Sequence, residues 1–279
     1  MPGRSLNGIG HTFKNMPADD FDSHKEPEEF FLPLSSERYC RFYDLEMAEF
    51  QADLPFYLER LKPPCSVLEL GCGTGRLCRP LAATGAEVTG VDLNPEMIRR
   101  ARLKSGPDVT YLCMDMTEPA LGRSFDTILI PYHTLNLLRT EERIEHCLNQ
   151  IETLLTGDGK LLLQLFIPDR ILLTLGTKKL FQFQIFEEQD GGRIIKEVRR
   201  SYSQEQLLLE ERYRIRPGQP GKNNEDLSHT LHLAAFSFHK WQLLLHRAGF
   251  TIRRHYGGYD LTPFVAGRDT CLFLQAEKT

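Results

Sequence analysis

The residues best able to do chemistry lie in Glu69-x-Gly71-x-Gly73-x-Gly75, just after the apolar pair Val67-Leu68. The segment reads as a buried strand, a glycine-packed turn and the start of a helix. Glycine there lets a ligand approach backbone that a Cβ would otherwise shield. Asp92 stands 21 positions after Gly71 and ends a second apolar stretch, Val88-Thr89-Gly90-Val91. A carboxylate at that place can accept both hydroxyls of an adenosine ribose, or it can cap the helix that begins after Asn94.

What the turn faces decides the ligand. A dinucleotide fingerprint, G-x-G-x-x-G, seats pyrophosphate on a helix N-terminus. Here Arg76 occupies the position of the third dinucleotide glycine. Glu69, inside the strand, would repel pyrophosphate but can accept bonds from an ammonium. The residues favour a ligand with an ammonium, a carboxylate and a ribose, and they count against a nicotinamide-dependent dehydrogenase. On these residues the chain resembles the class I S-adenosylmethionine-dependent methyltransferases, whose first motif is E/D-x-G-x-G-x-G. The resemblance runs from about residue 40 to 277 and is interrupted by a strand-rich insertion.

The resemblance implies an α/β fold: a Rossmann-like, doubly wound sheet of seven strands, the last antiparallel, under an N-terminal helical lid. It implies S-adenosylmethionine as cofactor, with S-adenosylhomocysteine as product. By that analogy Glu69 and Gly71 face the methionine amino group. Gly73 and Gly75, with Cys72 and Arg76 in the same turn, let the cofactor come close. Asp92 takes the ribose, with Leu93 and Met97 as apolar walls, although Met97 can equally be core. Asp115 resembles the family residue that binds the adenine amino group, and Met116 beside it can pack on the adenine ring. Tyr43, on the lid helix, matches a tyrosine that touches the methionine end. Pro131, at the end of the fourth strand, borders the same cofactor.

In a doubly wound sheet, ligands sit beyond the carboxyl ends of the strands. That places the segment from Pro131 to Leu138 where donor and acceptor meet, with Tyr132, His133 and Asn136 as candidate acceptor contacts. Methyl transfer from a sulfonium is an in-line displacement, so the protein mainly has to align the acceptor and exclude water. His133 is the candidate general base, needed only if the acceptor arrives protonated; otherwise it is structural or bonds the substrate. Tyr259 and Arg268, near the flexible pair Gly257-Gly258, are further candidate contacts. Base-amino methyltransferases of nucleic acids carry [DN]-P-P-[YF] at the fourth strand. This chain has Leu129 and Ile130 at the first two of those positions, which argues against DNA or RNA as substrate.

Composition agrees. With 279 residues and a net charge of −4, the chain has no electrostatic footprint for nucleic acid or anionic membrane. No apolar run approaches the roughly 18 residues of a membrane span, and the first residues lack a signal-type apolar core. The expectation is a cytoplasmic protein. The seven cysteines form no CxxC pair, so neither a zinc site nor another metal site is expected.

Patterning divides the chain into a polar, proline-broken arm (1–36), a lid helix and cofactor-binding core (37–177), an antiparallel β insertion (178–236) and a return to the core (237–279). Helical spacing runs over 37–61. Apolar strands at 66–70, 87–92, 109–114, 125–131 and 160–167 alternate with helices near 76–84, 94–104 and 141–155. A Gly157-Asp158-Gly159 turn precedes the fifth strand. The insertion reads as strands at 182–189, 193–203, 206–215 and 229–236, with a hairpin turn at Asp190-Gly191-Gly192. It would cover an acceptor pocket or form a homodimer contact. The expected function is methylation of a small molecule. The alternative is a non-catalytic binder of the same cofactor that acts through a protein partner.

Overall fold

The computed structural model describes residues 30–175 and 180–279. The expected arm therefore lies outside the described residues, apart from 30–36.

The expected lid helix is two helices, α1 (Ser36–Met47) and α2 (Leu54–Leu58). The apolar spacing carries on through the break, but Pro55 begins the second helix in a first turn, where its missing N–H costs nothing. The core then alternates as β2 (Ser66–Leu70), α3 (Cys78–Ala82), β3 (Glu87–Asp92), α4 (Pro95–Lys104), β4 (Val109–Cys113), β5 (Phe125–Ile130), α5 (Glu141–Leu154) and β6 (Leu155–Phe166). Polar side chains fix the helix starts. Ser35, Asn94 and Thr140 accept from the Arg38, Glu96 and Arg143 amides, satisfying donors that a helix leaves open. The Gly157-Asp158-Gly159 turn is absorbed into β6, where the register slips between Phe125↔Leu155 and Thr127↔Lys160.

A short helix, α6 (Arg170–Leu175), leads to the insertion: β7 (Leu180–Glu187), β8 (Arg193–Ser203), β9 (Gln206–Arg216) and β10 (Glu225–Ala234). The chain returns through α7 (Phe238–Arg247), β11 (Phe250–Tyr256) and β12 (Cys271–Lys278). The core sheet has seven strands in the order β11-β12-β6-β5-β2-β3-β4. β12 runs antiparallel to both of its neighbours, and the other pairs are parallel. The inserted strands form their own antiparallel sheet, joined at one edge by a short parallel strand, β1 (Leu32–Pro33). The last inserted strand starts four residues earlier than its apolar pattern suggests, because pairing with β9 begins at Glu225, opposite Ile215.

Two apolar clusters cover the core sheet. One joins Leu68, Leu70 and Ile128 to Leu148, Ile151 and Trp241 of the helices; the other joins Val67 and Leu129 to Phe56, Leu77 and Leu81. Burial on both faces explains why the parallel strands are apolar almost throughout.

Candidate active site

Parallel register of β2 and β3, with Leu70 opposite Val91, brings their carboxyl ends side by side. The Gly71 and Cys72 amides both donate to the Val91 carbonyl, at 2.7 and 2.9 Å. The Gly73 amide donates to Asp92 Oδ2 at 2.9 Å, and the Asn94 amide donates to Asp92 Oδ1 at 2.8 Å. Asp92 therefore ties the glycine turn to the start of α4. Each of its oxygens keeps a lone pair for a further donor. Burial raises its pKa, against the pull of these two bonds.

Glu69, 2% exposed, accepts the Cys78 thiol on Oε2 at 2.9 Å. Burial pushes its carboxyl up to about 8. Cys72 is buried close to Cys78 and takes no part in an open surface.

The turn glycines make room for the protein's own side chains. A Cβ on Gly71 would come 2.2 Å from Thr134 Cγ2, and one on Gly75 would come 2.2 Å from the Tyr111 hydroxyl. Gly75, at φ +78°, thus makes room for Tyr111, whose hydroxyl is shared with Ser105 at 2.8 Å. Gly73 abuts the Tyr43 ring, which places Tyr43 against the turn. Arg76 departs from expectation. Its guanidinium forks onto Asp53 at 2.7 and 2.5 Å, donates to the Phe50 carbonyl and stacks 5.0 Å from the Phe50 ring. Asp53 is fully buried, so this pair is part of the framework.

Asp115 follows β4. Its Oδ1 accepts the Thr117 amide and hydroxyl at 2.9 and 2.8 Å, and its Oδ2 lies 4.0 Å from Arg143. The Thr117 backbone bond holds its carboxyl below the ordinary range. Met116 is half-buried against the core, and Leu93 is exposed. Met97 is 5% exposed on α4, so it is core and not an open ligand wall. Pro131 is buried at the end of β5, where its carbonyl accepts the Thr134 hydroxyl at 2.7 Å.

Tyr132 and His133 both take left-handed backbone, φ 52° and 62°, a costly conformation that clusters at functional places. Gln164 holds them there. Its side-chain oxygen accepts the Tyr132 amide and the Tyr259 hydroxyl, each at 3.1 Å, and its carbonyl accepts the His133 amide at 3.1 Å. Phe50 meets both tyrosines edge-on, at 6.1 and 5.9 Å. Tyr43, Phe50, Tyr132 and Tyr259 thus gather beside the turn. Burial raises the hydroxyl pKa of each tyrosine.

Burial, with Arg200 nearby, lowers the His133 pKa to about 4. His133 is therefore neutral at physiological pH and a weak base, which does not suit the general-base role. Its Nε2 lies 3.6 Å from the Cys271 sulfur. Asn136 is not an acceptor contact. It is fully buried, its amide group donates to the Phe166 and Ala234 carbonyls at 3.1 and 2.7 Å, and its oxygen accepts the Phe166 amide at 3.1 Å. It joins the core sheet to the inserted one. Arg268 is exposed and forks onto its neighbour Asp269. Among the described residues, no group of His, Cys, Asp and Glu could hold a metal ion, and no helix is long and apolar enough to cross a membrane.

Sequence reasoning missed Gln164, Asp53, Glu46, Lys196, Arg200 and Glu211. The last three stand on inserted strands whose period-two alternation put polar side chains on an inner face. Lys196, 6% exposed, bonds both Glu46 of α1 and Glu211 at 2.7 Å.

Comparison with known proteins agrees with this architecture. Residues 67–159 match the methyltransferase domain family. A protein of Geobacillus sp. strain WCH70 described as a methyltransferase is 31% identical over 167 residues, 56% of this chain and 65% of that one. A second, from Bacillus subtilis strain 168, is 32% identical over 127 residues, 44% of this chain and 49% of its own length. The chain thus spans less than two thirds of the length of these curated relatives, 65% and 49%. The S-adenosylmethionine-dependent methyltransferase of Clostridium acetobutylicum ATCC 824 shares the fold at TM-score 0.70, with 15% identity over 86% of this chain and 98% of that one. The sugar N-methyltransferase of Streptoalloteichus sp. ATCC 53650 does so at TM-score 0.70, with 18% identity over 93% of this chain and 98% of that one. The fold is the Rossmann-like methyltransferase sheet. Residues 67–159 carry a methyltransferase-family domain, and the fold around them is shared with S-adenosylmethionine-dependent methyltransferases.

Proposed function

We propose that the protein transfers a methyl group from S-adenosylmethionine to a small-molecule acceptor. The observation that carries this reading is the line of acidic groups at the carboxyl ends of β2, β3 and β4. Glu69, Asp92 and Asp115 follow one another across adjacent parallel strands, and the glycine turn is bonded to the middle one. Each retains the capacity the cofactor needs. Glu69 is a buried carboxyl with only a thiol on Oε2. Asp92 has a spare lone pair on each oxygen, and Asp115 Oδ2 stands 4.0 Å from Arg143, beyond hydrogen-bond distance. In this assignment Glu69 takes the amino group, Asp92 the ribose and Asp115 the adenine amino group.

When bound, the sulfonium supplies an activated methyl group. The chain's own task is alignment and exclusion of water. Tyr43, Phe50, Tyr132 and Tyr259 offer ring faces and edges beside the turn, an environment that favours a cation. His133, neutral, orients the acceptor without taking its proton. The inserted sheet covers the acceptor side and so acts as a substrate cover. Support for a small-molecule acceptor comes from what similar proteins are named for, among them a ubiquinone biosynthesis O-methyltransferase of Xanthomonas and the Streptoalloteichus sugar enzyme.

The test is incubation of the protein with methyl-labelled S-adenosylmethionine and fractionated metabolite extract. Label transferred to a small molecule, with S-adenosylhomocysteine formed in equal amount, is the expected result. Label only on protein or nucleic acid would overturn the assignment of the acceptor class.

A further inference from the structure

The inner face of the inserted sheet is apolar at both ends. At one end Ile194, Tyr213 and Ile215 pack on Phe42 of α1; at the other Leu207 and Leu233 pack on Phe166 and Leu172. Between them lies a polar belt. In register, Lys196 is opposite Tyr213, Val198 opposite Glu211 and Arg200 opposite Leu209, so Lys196, Glu211 and Arg200 share one face.

Lys196 is closed off by its two carboxylates. Arg200 is not closed off. It is 7% exposed, and its Nη1 is buried with no hydrogen-bond partner among the described residues. The carboxylates whose field it feels are engaged elsewhere, Glu211 by Lys196 and Asp169 by the Leu172 amide at 2.7 Å. Burying an incompletely bonded guanidinium is costly, so such a group is retained where a ligand completes it. Burial lowers the pKa of Arg200 to about 10, and Arg200 in turn helps depress His133. It also feels Tyr132. The guanidinium therefore stands near the two strained residues at the end of β5.

We propose that the methyl acceptor carries an oxyanion, a carboxylate or a phosphate, and that Arg200 receives it. A planar fork of N–H donors matches either group in two-point geometry. Bound this way, the acceptor would span the polar belt, with its anionic end on Arg200 and its nucleophilic atom toward Tyr132 and His133. This rests on the methyltransferase reading and narrows the substrate class within it.

The test uses the full chain with S-adenosylhomocysteine, inorganic phosphate and benzoate as probes, at ionic strength held constant with chloride. Thermal unfolding is followed with each anion, and S-adenosylhomocysteine binding is titrated on the same preparations. The expected result is a rise in the unfolding midpoint with phosphate or with benzoate, and which of them acts identifies the oxyanion. In Arg200→Met the anion affinity falls at least ~30-fold, while binding of S-adenosylhomocysteine stays within twofold. Arg200→Lys, which keeps the charge, retains part of the rise and serves if Arg200→Met does not fold. A purely structural role predicts a lower midpoint in Arg200→Met without anion; the proposal predicts an equal or higher one, since an uncompensated charge has been removed. No effect of either anion on the wild type, or a rise that survives in Arg200→Met, would overturn the proposal. So would loss of S-adenosylhomocysteine binding in folded Arg200→Met, which would assign the residue to the cofactor. A wild type that binds an anion through Arg200 but no S-adenosylhomocysteine would sink the methyltransferase reading and leave the anion site standing.

Discussion

The Cys78 thiol donates to the Glu69 carboxylate at 2.9 Å in the buried layer under the glycine turn. A thiol is a weak donor and does not replace hydration, so burial leaves the Glu69 carboxyl with a pKa of about 8. At neutral pH, without ligand, it is therefore mostly protonated. An ammonium placed against it favours the ionised form, so cofactor binding near pH 7 should release up to about one proton. Calorimetric titration in buffers of different ionisation enthalpy would measure this. Affinity should rise from pH 6 toward pH 8. A binding enthalpy independent of buffer would show that Glu69 does not meet the amino group.

Glu69 and His133 act on stability with opposite signs. The pKa of Glu69 is raised from 4.5 to about 8, so the folded state holds the extra proton and stability declines as pH rises through that window. The pKa of His133 is lowered from 6.5 to about 4, so the unfolded state holds the extra proton there and stability declines as pH falls through that window. Denaturant titrations across pH should show the decline from pH 4.5 up to about 8 flattened in Glu69→Gln, and the decline from pH 6.5 down to about 4 flattened in His133→Gln. Slopes unchanged in either variant would contradict the assigned burial.

Replacing Asp92 by alanine removes the acceptor for the Gly73 and Asn94 amides and the carboxylate proposed for the ribose. The expected cost in cofactor affinity is about 1–3 kcal/mol. Titration with S-adenosylhomocysteine would check it, and unaltered affinity would place the ribose elsewhere.

Asn136→Ala leaves the Phe166 amide and the Phe166 and Ala234 carbonyls without their partner in a fully buried position. A loss of about 3 kcal/mol of folding stability is expected. Denaturation midpoints would measure it. A stability within about 0.5 kcal/mol of wild type would mean that the joint between the sheets is held by other contacts.

The core of this fold was legible because the strands are buried on both faces. Val67-Leu68, Ile128-Leu129-Ile130 and Leu161-Leu162-Leu163 announce themselves as continuous apolar runs, and Asn94 and Gly85 punctuate the helices between them. The parts that escaped depend on partners distant in sequence. Arg76 reads as a ligand residue until Asp53, 23 residues away, is seen to hold it. Asn136 reads as an acceptor contact until the Ala234 carbonyl, 98 residues away, is found on it. The break between α1 and α2 was hidden because Phe50 and Leu54 keep helical spacing across it. The acceptor side was least visible. Lys196, Arg200 and Glu211 look like the solvent face of a half-buried strand, whereas tertiary packing turns that face inward.

The central claim, that the glycine turn and its three carboxylates hold S-adenosylmethionine, is tested most directly by calorimetric titration of the wild-type protein with S-adenosylmethionine, S-adenosylhomocysteine and NAD. The account predicts saturable binding of both adenosyl ligands and none of NAD. Binding of NAD, or no binding of either adenosyl ligand, would contradict it.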